Sequence, residues 1–284
     1  MGEWVFGWEE FGEIKKWKEK EMDKITKLLK KGIENGEFPN KLYKFRDFSD
    51  FTDKIILNSE FYFASPKKFN DPFDCNLSYK QDYTKNEILA KYQDLTSKLP
   101  FTKEEFINKY GLELEEFLDK YPKLNDTLVS KSGILSLSKS NKNITMWSHY
   151  ANEHKGLVFE LQVDEDYNFF HGYGIVEYKE QYDFLSYTNL TNEDYTKLFL
   201  TKYTDWEYEE EIRIIDYNKN ETRKFNKSVL KTIYFGYRAD ETNIKKTIQL
   251  CQLNEFEHVI FKKAKLIPGK FALDFDEINK SLYL

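Results

Sequence analysis

Cysteine is nearly missing from this chain: Cys75 and Cys251 are its only two in 284 residues. Two thiols so far apart in sequence make neither a disulfide framework nor a zinc-binding spacing, and they fit a reducing cytoplasm. Histidine is scarce as well, with four residues. His149 and His154 would diverge on a helix and no H-E-x-x-H pattern exists, so no metal site is expected. Long apolar runs are absent; none approaches the roughly 20 residues that cross a bilayer, so no membrane association is expected. The opening M-G-E-W-V-F has neither the basic start nor the apolar stretch of a signal peptide. It also lacks the Ser or Thr that N-myristoylation requires at the sixth position. There is no G-x-G-x-x-G and no P-loop. An excess of positive charge is missing too: 43 basic residues face 49 acidic ones, a net charge of −6. That excludes a sequence-blind coating of DNA while leaving room for a local basic groove.

Aromatic residues are plentiful, with 24 Phe and 20 Tyr, and 40% of the chain is hydrophobic. This is ample for one large domain or two modest ones. Residues 1–38 read as an N-terminal helical extension whose Phe11, Ile14, Trp17, Met22, Ile25, Leu28 and Leu29 recur at near-helical spacing. The domain proper is expected over 39–284. It opens with a strand at K-L-Y-K-F-R-D-F, a helix capped by Ser49, and a second strand at E-F-Y-F-A-S-P. Residues 83–130 change period and carry breakers at Pro100, Gly111 and Pro122, which predicts a helical insertion. Strands return at G-I-L-S-L-S-K-S, L-V-F-E-L-Q-V and G-Y-G-I-V-E-Y-K-E-Q-Y-D-F. A short helix is expected over I-T-M-W-S-H-Y-A-N-E-H-K-G, closed by Gly156, another over N-E-D-Y-T-K-L-F-L-T-K-Y-T-D-W, and a last one over 240–251. The fold class is α+β with a mixed or antiparallel β core, and the irregular strand spacing argues against a doubly wound nucleotide fold.

Three places could carry chemistry. If 207–215 is a strand, Glu207, Glu209, Glu211 and Arg213 share one face, with Ile212 and Ile214 on the other. Carboxylates in a column repel unless a cation or substrate sits among them. The alternative is an exposed face with an ordinary salt bridge. On the Met146–Tyr150 helix, His149 is either a general base or a packing histidine. Finally, Arg46 suits bidentate contact with phosphate or carboxylate, and F-N-D-P-F-D offers Asn70, Asp71 and Asp74 at a strand end. That loop either orders a turn or closes a site.

In chain order, L-Y-K-F-R, F-A-S-P-x-x-F-N-D-P-F-D, L-S-L-S, M-W-S-H-Y-A-x-x-H-K-G and W-E-Y-E-E-E-I-R resemble the bacterial family called domain of unknown function 2971. The resemblance covers roughly residues 41–215, and the family name implies no activity. More distantly, the strand–helix–strand opening and the late Glu-x-Glu look like an ADP-ribosyltransferase fold. That likeness implies a split core of two small sheets with NAD held between them. It places Tyr43, Arg46 and Ser65 on NAD, Glu211 in catalysis and Glu209 in orientation. Trp147 or Tyr150 would stack on a ring, and the Ser-Thr-Ser triplet common in such enzymes is absent. It further implies a toxin or anti-phage effector acting on a protein or nucleic-acid acceptor, with a partner protein in the same defence system. Two other readings stand beside it. One is a nuclease holding Mg²⁺ on Asp71, Asp74, Glu209 and Glu211. The other is a non-catalytic binding or sensor module.

Overall fold

The computed structural model describes residues 26–77, 129–182, 184–186, 192–217 and 219–283, with the strand Tyr79–Lys80 and scattered single positions. Within these runs lie helix α1 (26–34), β1 (Lys41–Arg46), α2 (Asp50–Asn58), β2 (Glu60–Tyr62), β3 (Tyr79–Lys80) and β4 (Gly133–Ser138). Then follow α3 (Ile144–Tyr150), β5 (Leu157–Gln162), β6 (Tyr173–Ile175), β7 (Glu177–Lys179), β8 (Leu185–Ser186), α4 (Asn192–Leu200) and β9 (Thr201–Tyr203). The chain closes with β10 (Glu211–Asp216), β11 (Thr222–Lys224), β12 (Leu230–Phe235), α5 (Glu241–Leu253), β13 (Ile260–Leu266) and β14 (Leu273–Glu277). The fold is α+β. Most of the expected insertion at 83–130 and residues 1–23 of the N-terminal extension lie outside the described residues.

Eight strands form the main sheet in the order β14-β13-β12-β5-β1-β4-β10-β6, antiparallel except for β12 with β13. It is one sheet by the narrowest margin. β1 pairs with β5 along its full length, from Lys41↔Gln162 to Arg46↔Leu157. With β4 it pairs at Tyr43↔Ser138 alone. A five-strand half and a three-strand half therefore meet at one residue pair. The two separate small sheets implied by the ADP-ribosyltransferase likeness are not present in that form; what exists is a single sheet nearly divided at the β1–β4 seam.

Alternation along the central strands fills both faces. Leu42, Phe159, Leu161, Ile233, Phe235 and Phe261 pack into the larger core, with Ile55 and Ile56 of α2 and Ile244 and Ile248 of α5. Phe45, Val158, Tyr234, Ala264 and Leu273 point the other way, under Met146 and Trp147 of α3. Leu29 of α1 belongs to the larger core, with Ile33 and Phe38 packed beside it. Ser49 caps α2 through its side chain, as expected from sequence. Asn143 caps α3 by accepting from the Thr145 and Met146 amides.

Two strand readings are corrected. The strand expected at 207–215 begins only at Glu211. Thr204–Glu209 is a 3₁₀ segment, and Glu210 turns the chain in the left-handed region at φ 45°. The helix expected to run through Trp206 stops at Leu200, because Thr201–Tyr203 pairs with β7 as a parallel strand. The β-branched and aromatic alternation of Thr201 and Tyr203 favours that strand, while helical propensity in the preceding N-E-D-Y-T-K masks it.

Candidate active site

A cleft of about 480 Å³ opens along the unpaired stretch of the β1–β4 seam. Tyr43, Lys44 and Arg46 form one wall, Ser136 and Ser138 the other. Asn70 and Asp74 enter from the F-N-D-P-F-D loop, and Tyr150, Lys202, Glu209 and Glu211 close the floor. Residues far apart in sequence are thus gathered by the seam itself. Lys44 explains part of the seam's chemistry. Its Nζ donates to the Ser136 carbonyl at 2.8 Å, giving that carbonyl a partner where β1 supplies none. Burial, and then the neighbouring Arg46, push the Lys44 ammonium down to about 8.

Beneath the floor lies a buried charge cluster. Arg213, fully buried, donates from Nε and Nη2 to both oxygens of Glu211, at 2.9 and 3.0 Å. Its Nη2 also reaches Asp74 at 2.6 Å and its Nη1 the Phe199 carbonyl at 2.7 Å. Lys202 donates to Glu209 at 2.5 Å and to Glu211 at 3.1 Å, and lies 3.7 Å from Asp74. Three carboxylates thus share two cations. Burial alone would raise the Glu211 carboxyl, but Arg213 and Lys202 outweigh it and hold it at about 2. For Lys202 the three carboxylates overcome burial in the same way and hold the ammonium above its ordinary value.

Glu209 behaves differently. Burial, reinforced by the Glu211 charge, raises its carboxyl despite Lys202. Its Oε1 accepts from the Tyr150 hydroxyl at 2.5 Å, and burial with that carboxylate pushes the Tyr150 phenol up. The two acids of the floor are thus shifted in opposite directions, Glu211 downward by its cations and Glu209 upward by burial.

The F-N-D-P-F-D loop combines both roles considered from sequence. Asp71 accepts from the Phe73 amide and orders the turn. Asp74 is carried inward to Arg213, with Cys75 beside it at φ 54°. Phe69 lies under the Arg213 guanidinium at 5.6 Å, and Asn70 faces the cleft. Asp71 borders a neighbouring cavity instead.

Several expected site residues do not reach the cleft. Trp147 is completely buried against Phe45 and Phe275, its Nε1 donating to the Asn141 carbonyl at 2.7 Å, so it cannot stack on a ligand. Ser65 is buried and donates to the Ser130 carbonyl. His149 is exposed, with Nδ1 3.1 Å from the Tyr208 hydroxyl, and does not line the cleft. Arg213 supports the floor from below rather than facing a ligand. Glu207 is exposed and stands apart from the acids it was grouped with. Conversely, Lys44 and Lys202 escaped notice. Lys44 sits in the same alternating run as Arg46 and could have been found with it, whereas Lys202 was concealed by the helix reading.

Past the wall of Lys44, Arg46, Lys68 and Phe69, a second compartment of about 550 Å³ continues the cleft. Phe51, Lys54, Glu60, Tyr62 and Thr222 line it. Among the described residues, no group of three or more His, Cys, Asp or Glu is arranged to hold a metal ion. No described helix is long and apolar enough to cross a membrane.

A family described as "Protein of unknown function (DUF2971)" matches residues 146–214, a stretch running from α3 through the floor carboxylates to β10. The resemblance to that family therefore rests on the segment that builds the cleft floor. No curated protein and no solved structure matches the chain.

Proposed function

We propose that this chain is an NAD-consuming enzyme of the ADP-ribosyltransferase kind, with NAD as substrate and Glu209 as the reacting carboxylate. The order of chemistry along the cleft carries this reading. A proton-exchanging carboxylate with Tyr43 and Tyr150 nearby lies at one end, Lys44 and Arg46 lie in the middle, and an aromatic compartment lies at the other. That order suits a molecule with a glycosidic bond at one end, a pyrophosphate at its centre and a base at the far end. Each compartment falls within the range of roughly 300–1,000 Å³ common for ligand pockets.

The chemistry follows from those residues. Breaking the nicotinamide–ribose bond sends its electron pair out with neutral nicotinamide and leaves positive character on the ribose. The Glu209 carboxylate offsets that charge in a site where burial strengthens each contact. A hydroxyl of the acceptor then bonds to the ribose carbon, and Glu209 takes its proton. Tyr150 and Lys202 hold Glu209 in place. Glu211, first singled out for this role, is committed to Arg213 through both oxygens. A protein or nucleic-acid acceptor, a partner protein and an effector role against phage are supported by the likeness to ADP-ribosyltransferases, and a cytoplasmic setting by the cysteine usage, not by the cleft.

The nuclease reading is less well supported. Asp74, Glu209 and Glu211 already share Lys202 and Arg213, so a divalent ion would have to displace them. The deciding experiment is nicotinamide release from NAD by the full chain, with and without candidate acceptors, compared between wild type and Glu209→Gln. Release that falls on the order of 100-fold in the variant is expected, the scale for losing one such group. No release under any condition, or an undiminished rate in Glu209→Gln, would sink the reading.

A further inference from the structure

We infer that Glu160, a carboxylate sealed behind the β1 wall of the cleft, is a positioning residue. It holds the Tyr43 hydroxyl, so that Tyr43 turns its ring, and not its hydroxyl, towards the ligand at the Glu209 end. The ligand used in the test, NAD, rests on the proposed function; the bond between the two side chains does not.

β5 reads L-V-F-E-L-Q, one charge in a largely apolar run. Leu157, Phe159 and Leu161 pack into the larger core, and the alternate residues face the other way, where Val158 joins Trp147 and Tyr234. Glu160 falls on that second face, in a strand paired on both sides, and is 5% exposed. A carboxylate so placed is costly unless donors reach it. Three side chains do. The Tyr234 hydroxyl donates to Oε2 at 2.7 Å, and the Lys41 ammonium lies 3.4 Å from Oε1. Tyr43, directly opposite Glu160 across the β1–β5 ladder, supplies the third. The Lys41 side chain is more than half exposed, so water screens its charge and the pair accounts for little of the burial.

Tyr43 carries the consequence to the cleft. It lines the Glu209 end, whereas Glu160 does not. A hydroxyl bonded to Glu160 is therefore turned away from the ligand. The Tyr234 ring meets Tyr43 edge-on, with centres 6.3 Å apart, and packs beside it. Burial, then the Glu160 charge and the hydrogen bond to it, push the Tyr43 phenol up to about 12. Tyr43 is also the β1 member of the pair that joins β1 to β4. Its partner there is Ser138, whose hydroxyl donates to the Glu209 backbone carbonyl at 2.7 Å. The residue that Glu160 fixes thus stands across the seam from the contact that anchors Glu209.

The test uses the full chain with tyrosine labelled by ¹³C at Cζ, the Tyr43 resonance being assigned by its loss in Tyr43→Phe. It is run beside KM and kcat for nicotinamide release from NAD, and NAD binding by calorimetry. Glu160→Gln keeps the shape and removes the charge. The Tyr43 resonance should then titrate at lower pH than in wild type, since no negative charge opposes the phenolate. Glu160→Met removes the acceptor as well. KM and the calorimetric Kd for NAD should rise about three- to tenfold, the scale of one hydrogen bond. kcat should stay within about twofold of wild type, because Glu209 is untouched. A residue that only stabilised the fold would lower the melting temperature and the active fraction, and leave KM where it was. Tyr43→Phe and Tyr43→Phe/Glu160→Met should raise KM by the same factor, since one bond can be lost only once. Where Glu160→Met fails to fold, Glu160→Gln takes its place in that comparison. A Tyr43 titration unmoved by Glu160→Gln, a KM unmoved by the variants, or additive losses in the double variant overturns the inference. If wild type neither binds nor cleaves NAD, the proposed function falls, and the Tyr43 titration alone decides whether Glu160 holds Tyr43.

Discussion

Glu211→Gln separates support from chemistry in the cluster, and its cost can be worked from the geometry. The carboxylate takes two bonds from Arg213 and one from Lys202, in full burial. Glutamine keeps the shape but removes the charge, leaving Arg213 only Asp74 and Lys202 chiefly Glu209. Glu211 titrates at about 2 against an ordinary 4.5. Removing one partner from a buried ion pair costs ~3–5 kcal/mol of folding stability, and the depressed Glu211 carboxyl has the sign expected of such a pair. For a chain of this size, thermal unfolding should drop by about 6–12 °C near neutral pH. Like-charge repulsion among the carboxylates taken alone would give the opposite sign, a variant as stable as wild type or more so. The sign of the pH dependence is fixed by the depressed value. The stabilisation is complete above 4.5 and disappears as pH falls towards 2, so the gap between wild type and variant should narrow in acid. Melting curves by circular dichroism at neutral and acidic pH test both statements. A variant that melts within a degree of wild type at pH 7, or a gap that widens in acid, would refute the reasoning.

Lys44→Met should remove a pH dependence rather than create one. Affinity of the wild-type cleft for a dinucleotide should fall as pH rises through about 8, where Lys44 loses its charge, while the variant binds more weakly and shows no such step by calorimetry. Tyr150→Phe removes a donor to the Glu209 carboxylate; the acid limb of the activity profile should then move to higher pH, since loss of a hydrogen bond to the charged form raises its pKa. An unmoved acid limb would exclude Glu209 as the titrating group.

What the sequence made legible were alternation and order. The alternation that puts Phe45 and Lys44 on opposite faces of β1, and Ser49 as a cap, follow from local pattern, and the residue types at Tyr43, Arg46, Asn70, Asp74, Tyr150, Glu209 and Glu211 marked chemistry that the structure gathers in one cleft. Burial of charge was not legible. Nothing local tells that Arg213 is sealed inside, because its partner Asp74 comes from a loop far earlier in the chain. The same blindness put Trp147 in the cleft, when tertiary packing turns it into the core. It also hid from view the two cations that hold Glu211. The left-handed Glu210 that ends the 3₁₀ segment had no glycine to announce it.

The cluster under the floor draws on four separate stretches: the loop at Asp74, β9 at Lys202, the 3₁₀ turn at Glu209 and β10 at Glu211 and Arg213. Any one of these charges buried without the others would cost several kcal/mol. A partly assembled chain that had docked only two or three of the stretches is therefore penalised relative to both the open and the finished states. The electrostatics that hold the floor rigid also make its assembly cooperative, so that a half-built version of this cleft is scarcely populated.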